Sequence, residues 1–163
     1  MNPGDNAPRP TAGVESTYDV ALSHWNRIVG SDEEFITDMT ARVIKTRDHF
    51  SSGEAGAPIE DPKHFAFMEV IRRWAELFSV QINTFNQDIP QNIREAISAA
   101  SMHAVTAVQG QGYGDSQEEF KKRKEIALKR LAEEEAKGFD RSPEKTIRLL
   151  LALFKEELAK RCS

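Results

Sequence analysis

Cysteine is almost missing from this chain: Cys162 is the only one among 163 residues, so no internal disulfide can form and an oxidising compartment is not implied. Long apolar runs are missing as well. No stretch reaches the roughly 18 residues of a bilayer-spanning helix, and Met1 to Thr11 lack the charged-then-apolar order of a secretory leader. Neither sign of charge dominates, because 22 basic residues face 26 acidic ones along the whole length, for a net charge of −4. Nucleic-acid binders usually carry a basic face, so this balance argues against one. Alternating segments long enough for a strand are not found, nor are repeats of about 20 to 50 residues. What remains is the expectation of a cytoplasmic protein with no nucleic acid or membrane partner. A secreted effector, exported through a polar N-terminus, is the alternative.

What the chain does have is a recurring helix start. Ser or Asp stands three residues before an acid or amide, or just before proline, at Ser16, Ser31, Asp61-Pro62, Asp88-Ile89-Pro90-Gln91, Ser116 and Ser142-Pro143, and an apolar run at helical spacing follows each. The fold class expected is therefore all-α, a helical bundle of about six helices with a C-terminal helical hairpin. Residues 1–14 hold Pro3, Pro8, Pro10, Gly4 and Gly13 with little to bury, and read as a disordered tail. Residues 15–163 read as a single helical domain, composed of a four-helix portion over 15–109, a Gly-rich connector over 110–115 and a hairpin over 116–163.

The apolar stripes set expectations for packing. Tyr18, Ala21, Leu22, Trp25, Ile28 and Val29 line the first helix, and Phe35, Ile36, Met39, Val43, Ile44 and Phe50 the second. The third carries Phe67, Val70, Ile71, Trp74, Leu77, Phe78, Ile82 and Phe85, a stripe wide enough to predict a central position. Ile93, Ile97, Ala100, Ala104 and Val108 line the fourth. The fifth has a narrow seam of Phe120, Ala127, Leu128 and Leu131 among charges, with Glu118–Lys122, Glu119–Arg123, Glu125–Lys129 and Glu133–Lys137 placed to pair at i, i+4. The sixth bears Ile147, Leu149, Leu150, Leu151, Leu153, Phe154 and Leu158, more than one face can hold. It needs at least two partners, of which a second subunit is one option.

Spacings that carry chemistry are scarce. Di-iron bundles use Glu-x-x-His pairs, and the only carboxylate three residues before a histidine is Asp61 before His64, where Asp61 serves better as a cap. No metal ligand set and no catalytic residue is assigned. His103 shares a face with Ala96, Ala100 and Ala107, where small side chains leave room for a flat ligand. Gly110-Gln111-Gly112-Tyr113-Gly114 precedes a helix, but no strand leads into it and Asp115, Glu118 and Glu119 would repel phosphate, so it reads as a flexible connector and hinge.

Three functions follow as expectations. The first is a non-enzymatic protein-interaction module, a regulator, adaptor or effector-like protein, that binds a protein partner or a second copy as a homodimer through Leu149, Leu150, Leu153 and Phe154. The second is a small-molecule or cofactor sensor of haem or tetrapyrrole type, with a pocket of Trp74, Phe78 and His103; no particular cofactor is assigned. The third is a small enzyme using His64 or His103 as general base.

Overall fold

Local capping decides where most helices begin. In the computed structural model, which describes residues 16–53 and 56–162, the α-helices are α1 Thr17–Val29, α2 Asp32–Ser51, α3 Pro62–Glu76, α4 Gln91–Gln109, α5 Gln117–Ala136 and α6 Pro143–Arg161. The side chains of Ser16, Ser31, Asp61 and Ser116 each accept a bond from the backbone N–H three residues on, at 3.1, 3.2, 3.1 and 3.1 Å. Glu34 returns a bond to the Ser31 N–H and closes a capping box. Ser142 precedes α6 without a side-chain bond to the first turn of the helix, Pro143 opening it. The fourth start differs from expectation: Pro90 occupies the cap position, and Asp88 reaches Arg27 at 3.3 Å instead. The fold is all-α, with no strand among the described residues. Among the described residues, no helix is long and apolar enough to cross a membrane. The tail expected over 1–14 lies outside the described residues.

The third apolar stripe is interrupted. After Glu76 the chain widens into a π-helical segment, Leu77–Ile82, and the polar residues that follow tie down its carbonyls five positions back. Asn83 Nδ2 donates to Phe78 O, Thr84 Oγ1 to Ser79 O and Asn86 Nδ2 to Gln81 O, at 3.2, 3.0 and 2.6 Å. Each wider turn advances the phase of the side chains. Phe78 and Ile82 therefore stay buried, while Phe85 leaves the stripe and is 71% exposed.

The central helix is α6, not α3. It packs against α4, α2 and α3 together, and Ile147, Leu149, Leu150, Leu151, Leu153, Phe154 and Leu158 are all buried. Its surplus of apolar positions is thus satisfied by three neighbours within the chain. At its middle, Phe154 joins Trp25, Phe35, Trp74 and Phe78 in a cluster of five rings from α1, α2, α3, the π segment and α6. Trp25 stacks on Phe78 at 5.1 Å between centroids, tilted by 14°, and lies 5.0 Å from Phe154 and 5.5 Å from Phe35. Neither indole N–H, of Trp25 or of Trp74, finds a hydrogen-bond acceptor among the described residues. The other rings offer only their π faces.

Charge pairs fix how α2 meets α6. Arg148 donates two bonds of 3.0 Å to Glu33, and Lys155 pairs with Asp32. These acids do more than complement the α2 dipole: they orient it on the central helix. α5 leans chiefly on α4 through Ala127 and Leu131, and touches α6 where Arg130 forks onto Glu156 at 2.8 and 3.1 Å. Of the four i, i+4 pairs expected on α5, Glu119–Arg123 forms, at 3.7 Å, while Lys137 turns to Glu134. Glu118–Lys122 and Glu125–Lys129 do not close among the described residues, as expected for exposed pairs worth little more than the entropy they restrict.

Candidate functional site

Concavities of about 290 to 700 Å³ open among the described residues, and two of them have the most extensive walls. The wider, about 540 Å³, runs between α2 and the α3–π junction and holds Arg42 and Arg73, but both are engaged within the chain, Arg42 by Asp38 and Arg73 by Glu69. The second, about 290 Å³, opens where α4, α5 and α6 converge, lined among others by His103, Tyr113, Arg123, Lys129, Leu153 and Lys160. Here a chain of polar side chains is held in one direction.

Arg123 fixes that direction, because a guanidinium only donates. Its Nη1 donates to the Tyr113 hydroxyl at 3.0 Å, and its Cζ stands 4.7 Å from the centre of the same ring. The Tyr113 hydroxyl lies 2.8 Å from His103 Nδ1, and His103 Nε2 faces a Glu157 oxygen at 3.5 Å. A carboxylate opposite Nε2 requires the neutral ring to carry its proton there, which leaves Nδ1 as acceptor for the phenol proton; this assigns the tautomer from its partners. Arg161 holds Glu157 in place at 2.9 Å. Arg123 thus donates to Tyr113 and Tyr113 to His103, whose other nitrogen faces the Glu157 carboxylate.

His103 is half-buried, and it titrates below its ordinary value of 6.5. Burial disfavours the imidazolium most; Glu157 opposes that, and Lys160, Arg161 and Arg123 add to it. The unfolded chain therefore takes up this proton first. Stability is expected to fall as the pH drops from 6.5 toward the lower folded value, and the loss is complete once both states are protonated. The stabilisation from carboxylates held low, such as Glu33 and Glu69, is present above their ordinary 4.5 and is lost only as the pH falls below it. Denaturation midpoints measured between about pH 7 and 5 should show this slope, and His103→Gln should flatten it. An unchanged slope in the variant would mean that the fold does not hold the imidazole neutral.

The Gly110–Gly114 segment, expected to be a flexible hinge, is packed down on α5. Gly110 ends α4 with a φ of 70°. A Cβ on Gly112 would stand 2.4 Å from Phe120 O and 2.9 Å from Lys124 N. Only a residue without a side chain lets the loop lie against the α5 backbone there. That contact sets Tyr113 over His103.

The three residues expected to form one pocket lie in two different places. His103 lines the 290 Å³ cavity, whereas Trp74 and Phe78 lie in the five-ring core cluster and not in its lining. Successive residues on a helix point about 100° apart, so Ala104 faces the core and His103 faces α5 and α6. Leu149, Leu150, Leu153 and Phe154 are buried between α6 and its neighbours, so they present no open interaction face; Leu153 alone reaches the cavity wall. His64 sits exposed in the first turn of α3, apart from the cavity. Tyr113 and Arg123 were missed. The signal was an aromatic hydroxyl inside a glycine-rich loop, a residue that a simple spacer has no use for.

Compared with family models, curated proteins and solved structures, the chain matches none. Its function has to be argued from this geometry.

Proposed function

We propose that the protein is a helical small-molecule-binding protein, acting as a sensor or carrier, whose ligand occupies the cavity beside His103. The observation that carries this reading is the directed chain Arg123–Tyr113–His103–Glu157 at the wall of a 290 Å³ cavity. Fixed polar groups beside Ala107, Ile126 and Leu153 match the usual make-up of ligand pockets, apolar walls with a few oriented hydrogen-bonding groups. The volume lies at the small end of such pockets, about 300 Å³, which suits a compact molecule better than a macrocycle. Both His103 nitrogens already face partners, which also speaks against axial ligation of a haem.

A second reading has one observation in its favour. Phe120, Ile126 and Leu128 of α5 are 43%, 59% and 47% exposed, so a protein-interaction or homodimer role has its support on α5 and not on α6. Native mass spectrometry of freshly purified, unheated protein separates the two. Extra mass on each subunit, lost in Tyr113→Ala protein, is the expected result. A ligand-free dimer that Leu128→Glu converts to monomer would replace the first reading with the second.

A further inference from the structure

The charges around the cavity are unequal. Arg123, Lys129, Arg130 and Lys160 line it against Glu133 and Glu156, and Arg130 is already engaged by Glu156 and Glu134. Arg123 uses Nη1 on Tyr113 and holds Glu119 only at 3.7 Å through Nε. Lys129 makes no ion pair or hydrogen bond among the described residues. Glu157, the remaining nearby carboxylate, is held by Arg161 and faces His103. The lining thus carries four cations against two carboxylates, with Arg123 and Lys129 next to an apolar floor of Ala107, Ala127 and Leu153 and Ile126 at the mouth.

From this juxtaposition we infer that the cavity takes a small amphiphilic anion, a carboxylate or phosphate ester on a compact apolar body, with the headgroup between Arg123 and Lys129 and the body against Ala107 and Leu153. The inference rests on the proposed binding role and adds the ligand's chemical class. Desolvation at the apolar floor strengthens the attraction of guanidinium and ammonium groups for an oxyanion, and Arg123, held over the Tyr113 ring, gives up little freedom to make it. An anion there also offsets the cations that lower the His103 proton affinity. Binding and protonation of His103 are then linked: the anion raises the imidazole's titration midpoint, and the same coupling tightens anion binding as pH falls toward that midpoint.

The test uses four probes with one ring in common: benzoate, phenyl phosphate, benzyl alcohol and benzylamine. NMR follows the His103 ring and the methyl groups of Ala107 and Leu153 as each is added to the full chain at constant ionic strength. Saturable shifts are expected for the two anions, at affinities about tenfold or more above the neutral and cationic probes, together with an upward move of the His103 midpoint. Comparing benzoate with phenyl phosphate distinguishes carboxylate from phosphate. Lys129→Glu, exposed and engaged with nothing, is expected to weaken both anions while leaving the melting temperature in place. Benzyl alcohol or benzylamine binding as tightly as benzoate, or Lys129→Glu binding benzoate as well as the parent, overturns the anion assignment and leaves the cavity reading standing. No shift at His103, Ala107 or Leu153 with any of the four overturns both.

Discussion

Trp25→Ala is expected to destabilise the protein by about 3 to 5 kcal/mol, the range for truncating a fully buried tryptophan. Trp25 has no exposed surface and touches four rings from four other segments, Phe35, Trp74, Phe78 and Phe154. Its removal opens a void that five elements line, and no single helix can move to close it without breaking its other contacts. Against a typical total of about 5 to 15 kcal/mol, this is a large share of the stability. The orphaned indole N–H makes a second variant informative. Trp25→Phe also loses volume, but it removes a buried donor that lacks an acceptor, a group whose burial costs about 1 to 3 kcal/mol. Urea denaturation should therefore place Trp25→Phe much closer to the parent than to Trp25→Ala. Equal losses would show that keeping a ring and removing the orphaned N–H recover nothing at this position.

Gly112→Ala is expected to have the largest effect on the candidate site. The added Cβ meets Phe120 O at 2.4 Å and the Lys124 backbone N at 2.9 Å, atoms of a helix backbone that cannot swing aside. The loop has to lift from α5, at about 1 to 3 kcal/mol for an overpacked contact. Tyr113 moves with it. Its bond to His103 breaks, Arg123 loses both its acceptor and its ring, and the imidazole meets water and regains a titration midpoint nearer 6.5. Thermal unfolding reads the first consequence and the His103 ring resonance the second. A variant that keeps both the parent melting temperature and the low midpoint would show that the loop does not position Tyr113.

How far the site was legible follows from which interactions are local. The caps at Ser16, Ser31, Asp61 and Ser116 involve residues three apart, and each was readable because the bond joins neighbours in the sequence. The π segment broke the third stripe because its signature, Asn83, Thr84 and Asn86 bonding five residues back, is not a pattern of apolar spacing. His103 stood out through its small neighbours, but Trp74 and Phe78 were assigned to it on composition, and composition does not say which faces of two helices meet. The overprinted α6 was recognised and two partners were expected for it, a second subunit being one option. That its partners are α2, α3 and α4 follows only from burial.

The sequence by itself determined an all-α chain, its helix starts and the excess of apolar surface on α6, because capping and periodicity act within a few residues. Tertiary structure alone decided that α6 lies at the centre, that Trp25, Trp74, Phe78 and Phe154 form one cluster, and that Tyr113 and Arg123 meet His103. Those contacts join segments far apart in the chain. Their geometry comes from how the helices settle against one another, and from the close approach of backbones that Gly112 permits.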